Sequence, residues 1–205
     1  MVEVGILTLT GREFHNIRAM MHEPLATIGR YDGVLGFALF QQTVFTLDFP
    51  QRSMRVDAAE LAAGADPDVM PFSMPRNVPV VAVTIGKQVV SAQIDSGGGG
   101  INLPASAAST VDFDSATEAP VRAQSQLSTF LLRALVLKGE LVLGGQIFKQ
   151  PFVEINDLIP VGNLGAVSLQ DFAITFDQRQ QLVRFQAHNT THRLLRKQLV
   201  MTAGD

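Results

Sequence analysis

Two stretches of this chain repeat one another, and that repetition limits its fold more than any other feature. GVLGFALFQQTVFTLDFPQRSMRV, Gly33 to Val56, aligns without a gap to GNLGAVSLQDFAITFDQRQQLVRF, Gly162 to Phe185. The shared positions are Gly33/Gly162, Leu35/Leu164, Gly36/Gly165, Gln41/Gln170, Thr46/Thr175, Asp48/Asp177, Gln51/Gln180 and Arg55/Arg184. A second pair of blocks, GILTLTGREF (Gly5 to Phe14) and GELVLGGQIF (Gly139 to Phe148), recurs in the same order. Self-similarity of this kind points to two related structural units rather than one irregular one.

Each copy reads as strand, turn, strand, a glycine-bounded loop, a short helix near Ala38–Gln42 or Val167–Asp171, and a closing strand hairpin. The second copy has more in front of it. Val78–Ile85 and Gln88–Ile94 alternate apolar and polar residues around Gly86-Lys87, which predicts a hairpin. A short helix around Ala105–Ser109 and strands near Val121–Gln126 and Phe130–Leu137 follow. The first copy has no counterpart to these. The expected organisation is a partial first lobe at 1–56, a linker rich in Ala, Asp and Pro at 57–77, a complete second lobe at 78–187 and a helical tail at 188–205.

The hairpin of the second copy runs into AQIDSGGGGINLP, Ala92 to Pro104. Four consecutive glycines cost backbone entropy on ordering and bring no side chain to a core, so such a run is used where bare backbone must come close to something. A phosphate cradle is a poor fit: no Lys-Ser or Lys-Thr follows, and Pro104 interrupts an immediate helix. A plain flexible turn is the bland alternative for a glycine run taken alone.

Taken with its context, the sequence resembles the pepsin-like and retropepsin-like aspartic peptidases. Lobes of that family carry a D-[ST]-G triplet after a strand hairpin and, later, a pair of apolar residues and a glycine before a short helix. VPVVAVTIGKQVVSAQIDSG and GNLGAVSLQDFAITFDQRQQLVRF supply both parts here; DGVLGFALFQQTVFTLDFPQRSMRV supplies only the second. The resemblance implies an all-β fold of acid-protease-type β-barrel lobes, duplicated, with the first lobe incomplete. It also implies hydrolysis of peptide bonds by two carboxylates that share a proton, since like charges so close cannot both ionise cheaply. On this resemblance Asp95 is one of the two, Ser96 bonds across to a partner loop, and Gly97 lets backbone amides approach the carboxylate.

The departures are equally specific. Where the family continues its triplet with a small residue and a hydroxyl that orients the acid, this chain has Gly98 and Gly99. Asn163 stands where the later loop is normally apolar, whereas Val34 keeps the pattern. Only one D-[ST]-G is present, so the second carboxylate has to come from a missing N-terminal half-lobe or from a second copy of the chain. A lobe that has lost catalysis and serves as a binding or structural module is the remaining reading.

Composition narrows the rest. With 46% hydrophobic residues the chain can bury a core, and a net charge of −3 gives no basic field for a nucleic acid. The absence of cysteine excludes disulfides, thiol nucleophiles and Cys-based zinc sites. No apolar run reaches the ~18 residues that span a bilayer. No metal or organic cofactor is implied, the expected partner is a peptide or protein substrate, and the compartment stays open. Asp32 suits an Asp-Gly turn, Asp112, Asp114 and Glu118 read as a solvated acidic loop, and His188 and His192 lack a third ligand for zinc.

Overall fold

The computed structural model describes residues 1–21, 33–57, 59–64, 66–114, 121–124 and 129–188. Among them the chain is all-β, with sixteen strands in three sheets and only single-turn helices.

The alternating pattern of the central hairpin folds as expected. β1 (Val2–Leu9) and β2 (Arg12–Ala19) form a two-stranded sheet of their own. Phe37–Phe40 is a 3₁₀ turn, followed by β3 (Val44–Asp48), β4 (Ser53–Asp57), β5 (Val69–Pro71), β6 (Val80–Ile85), β7 (Gln88–Asp95) and β8 (Ile101–Pro104). The helical turn α1 (Ala105–Ala108) leads to β9 (Val121–Gln124), β10 (Thr129–Val136), β11 (Glu140–Leu143), β12 (Gln146–Lys149), β13 (Phe152–Asn156) and β14 (Gly162–Gly165). The turn α2 (Ala166–Leu169) precedes β15 (Phe172–Asp177) and β16 (Leu182–Ala187).

Nine strands form the largest sheet, in the order β12-β11-β6-β7-β14-β8-β13-β10-β9. β14 lies between β7, to which it is parallel, and β8, to which it is antiparallel. Its Leu164 therefore sits level with Ile94 and Ile101, and all three are buried on the core face. Leu103, Leu141, Leu143, Val153 and Ile155 extend that face. Burying such side chains contributes about 2 kcal/mol each, which is what holds so many short strands together.

The third sheet runs β4-β3-β15-β16-β5, and in it the two aligned segments meet. Antiparallel pairing sets Phe45 against Phe176, Thr46 against Thr175 and Leu47 against Ile174. Thr46 and Thr175, matched in the sequence alignment, are thus direct cross-strand partners, and their hydroxyls bond at 2.9 Å. The flanking hairpins keep equal registers, Thr46 with Arg55 and Thr175 with Arg184. Their turns match too: the amide of Gln51 donates to Asp48 Oδ1, and that of the aligned Gln180 to Asp177 Oδ1, at 3.0 and 3.1 Å. Phe45 stacks on Phe176 at 5.1 Å, with Phe37, Phe40 and Phe72 around them.

Residues 57–77, read from composition as a linker, also build structure: β5 adds to the edge of β16, and Phe72 is buried. Pro71 ends this strand at the sheet edge, where a missing N–H costs nothing. Of the expected helical tail, only His188 lies within the described residues.

Candidate active site

Asp95 is the last residue of β7, and parallel pairing places it level with Gly165, the last residue of β14. The chain must turn at once to return as β8, and the glycines make that turn against the end of β14. The amide of Gly97 donates to Asp95 Oδ1 at 3.0 Å, and that of Gly98 to the Asp95 carbonyl at 3.1 Å. Three amides from the far side, Gly165, Ala166 and Val167, donate to the carbonyls of Gly100, Gly98 and Gly99 at 2.9, 2.9 and 3.0 Å.

Packing this close explains the residue type. A Cβ on Gly165 would stand 2.5 Å from the carbonyl carbon of Gly99 and 2.7 Å from that of Gly98, against backbone that has nowhere to go. A Cβ on Gly98 would stand 2.5 Å from Asn163 Nδ2 and 3.0 Å from Asp95 Oδ2. The glycine run is thus a contact surface, and bare backbone at Gly98 lets the Asn163 amide and the Asp95 carboxylate share the space beneath it. The polar residue at 163 and the glycine at 98, two separate departures in sequence, are one arrangement in space. Asn163 Oδ1 is buried and has no hydrogen-bond partner among the described residues.

Sequence reading missed what lies next to Asp95. Gln93, two residues earlier on the same face of β7, sits level with Asn163 on β14, which sits level with Asn102 on β8, which sits level with Glu154 on β13. All four are half-buried, while their strand neighbours Ala92, Ile94, Ile101, Leu103, Leu164, Val153 and Ile155 are buried in the core. A polar row therefore crosses four strands beside the acid. Burial pushes the Glu154 carboxyl above its ordinary value of 4.5, and a hydrogen bond with Asn102 partly opposes the rise. Strand alternation marks each residue as off the core face; only the register across strands distant in sequence brings them into line.

Glu154 is not the second half of a shared-proton pair with Asp95. At about 4.8 Å per strand, three strand spacings separate its row position from that of Gln93 by roughly 14 Å, far beyond hydrogen-bond reach. Ser96 and Gly97 are exposed on the loop. Asp114 pairs with Lys138 at 3.8 Å on the surface, and His188 faces Asp48 at 3.4 Å; neither approaches the glycine loop in the sheet order. Asp32, Glu118 and His192 lie outside the described residues.

No protein-family profile matches this sequence, and no curated protein matches it at significance. Among solved structures, the crystal structure of a retropepsin-like aspartic protease from Rickettsia conorii superposes with a TM-score of 0.42 at 16% identity, over 57% of this chain and 89% of that one.

Proposed function

We propose that Asp95 is one of the two carboxylates of an aspartic-endopeptidase-type centre that hydrolyses peptide bonds, the second carboxylate being supplied from outside the described residues. The observation that carries this reading is the Asp95 carboxylate itself, held by the Gly97 amide at the seam where the glycine loop is bonded to Gly165, Ala166 and Val167. A plain hairpin tip has no need of that seam. The aligned strands that meet at Thr46 and Thr175 support a two-lobed plan, in which a second acid stands in twofold relation to the first.

In this reading Asp95 and its partner hold a water between them. One carboxylate takes the proton as the water attacks the peptide carbonyl, and the other, protonated, donates to the carbonyl oxygen. The Gly97 amide fixes Oδ1, leaving Oδ2 beside Asn163. Asn163 then takes up the positioning task of the hydroxyl that Gly98 and Gly99 cannot supply. Ser96, at the loop surface, is the group available to bond across to the partner loop.

The test is cleavage of an unfolded polypeptide at acid pH, across a concentration series of the chain, alone and with a peptide copy of residues 80–104 added. Cleavage in any mixture is expected to vanish with Asp95→Asn while the melting temperature holds. Cleavage retained by a folded Asp95→Asn variant refutes the role, and no cleavage in any mixture favours the binding-module reading.

A further inference from the structure

The two aligned glycine-bounded segments share a backbone but not an environment. Gly36 and Gly165 are both extended, with φ/ψ of −69/143 and −86/175, and each enters a single helical turn, Phe37–Phe40 or α2. Around Gly165 everything is filled. Leu164 is 1% exposed between β7 and β8, and a Cβ on the glycine would collide with the backbone of Gly98 and Gly99. Around Gly36 a Cβ would meet nothing within 4 Å, Leu35 is 49% exposed and Val34 73% exposed. The amides of Gly165, Ala166 and Val167 bond the glycine loop, whereas the aligned amides of Gly36, Phe37 and Ala38 make no backbone hydrogen bond among the described residues.

The β1–β2 hairpin tells the same story. Leu7 pairs with Phe14 as the aligned Leu141 pairs with Phe148, and both turns carry two residues of positive φ, Thr10-Gly11 and Gly144-Gly145. Yet β11 is also bonded to β6, Leu141 against Ile85, while β1 pairs with nothing but β2 among the described residues. Its Ile6 is exposed.

We infer that Gly33–Gly36 and the outer edge of β1 form a docking surface for one kind of partner: a polypeptide segment of strand, tight turn, strand, Asp-(Ser/Thr)-Gly loop and strand. The internal template fixes its chemistry. Apolar strands cover Val34 and Leu35, a bare glycine loop fits over Gly36, and the loop carbonyls accept the amides of Gly36, Phe37 and Ala38. The chain's own segment, 80–104, is not that occupant in its native place, because β7 is already bonded on both sides by β6 and β14. For the role of the docked acid this inference rests on the reading of Asp95 above; docking itself is measured as binding, so failure of the one is distinguishable from failure of the other.

The experiment titrates a labelled peptide of residues 80–104, the template sequence, with the full chain and follows fluorescence anisotropy. Saturable binding is expected, weakened about tenfold or more by Gly36→Val. Open space and an extended backbone let that variant fold as the parent does, and Gly36→Ala serves as a milder second variant. Photo-cross-linking from the peptide is expected to reach Leu35. Absence of binding, equal binding by both Gly36 variants, or cross-links confined to Leu164 would overturn the proposal.

Discussion

Substituting alanine for glycine at two aligned positions, Gly165 and Gly36, is predicted to have opposite effects. At Gly165 the new methyl stands 2.5 Å from the carbonyl carbon of Gly99, and relief requires β14 to withdraw from the glycine loop. Withdrawal breaks the bonds of Gly165, Ala166 and Val167 to that loop. At about 1 kcal/mol each these sum to about 3 kcal/mol, the upper end of what overpacking typically costs. At Gly36 the methyl meets nothing and the backbone already suits alanine, so restricting the unfolded chain stabilises by about 0.4–1 kcal/mol. With a urea dependence of roughly 2–3 kcal/mol per molar, the two midpoints should differ by more than ~1 M. Equilibrium urea unfolding followed by circular dichroism measures this directly. Midpoints that fall together, or a Gly165→Ala protein as stable as the parent, would refute the close-approach argument.

Three further outcomes follow from the same geometry. Gly98→Ala is expected to cost about 1–3 kcal/mol in the parent but much less beside Asn163→Ala; a double-mutant cycle showing no coupling would contradict their shared space. Because burial raises the Glu154 carboxyl, the fold binds that proton more tightly than the unfolded chain does. Its stabilisation is therefore present below the ordinary value of 4.5 and is lost as pH rises through the folded value. Glu154→Gln should abolish that slope and gain stability at neutral pH, as read from urea midpoints against pH. Thr10, β-branched at φ +50 in the β1–β2 turn, should be improved by Thr10→Asn, which creates the favoured Asn-Gly turn, by up to about 1 kcal/mol; an unchanged or lower midpoint contradicts the strain.

Much of this was legible in the sequence because it depends on local pattern. Alternation gave the β6–β7 hairpin within a residue or two of its bounds, and the closing hairpins expected in both aligned segments are β3–β4 and β15–β16. The glycines at 97–100 announced a close approach, though not that Gly165 was its other side. The polar row was hidden, since Gln93, Asn163, Asn102 and Glu154 lie on strands whose adjacency is set by tertiary pairing. β5 was hidden for the same reason: Val69–Pro71 is too short and too near prolines to read as a strand, and it exists through its pairing with β16. Asn163 looked like a defect in an apolar loop until Gly98 was seen beside it.

The central claim is that Gly165 is closed in by the glycine loop, while Gly36, matched to it in the sequence alignment, presents its extended backbone to a partner. Native-state hydrogen exchange tests it most directly, by comparing the amides of Gly165, Ala166 and Val167 with those of Gly36, Phe37 and Ala38. Strong protection of the first three and near-unprotected exchange of the second three, slowing when the 80–104 peptide is added, is the predicted result. Equal protection of both sets in the chain alone would contradict it.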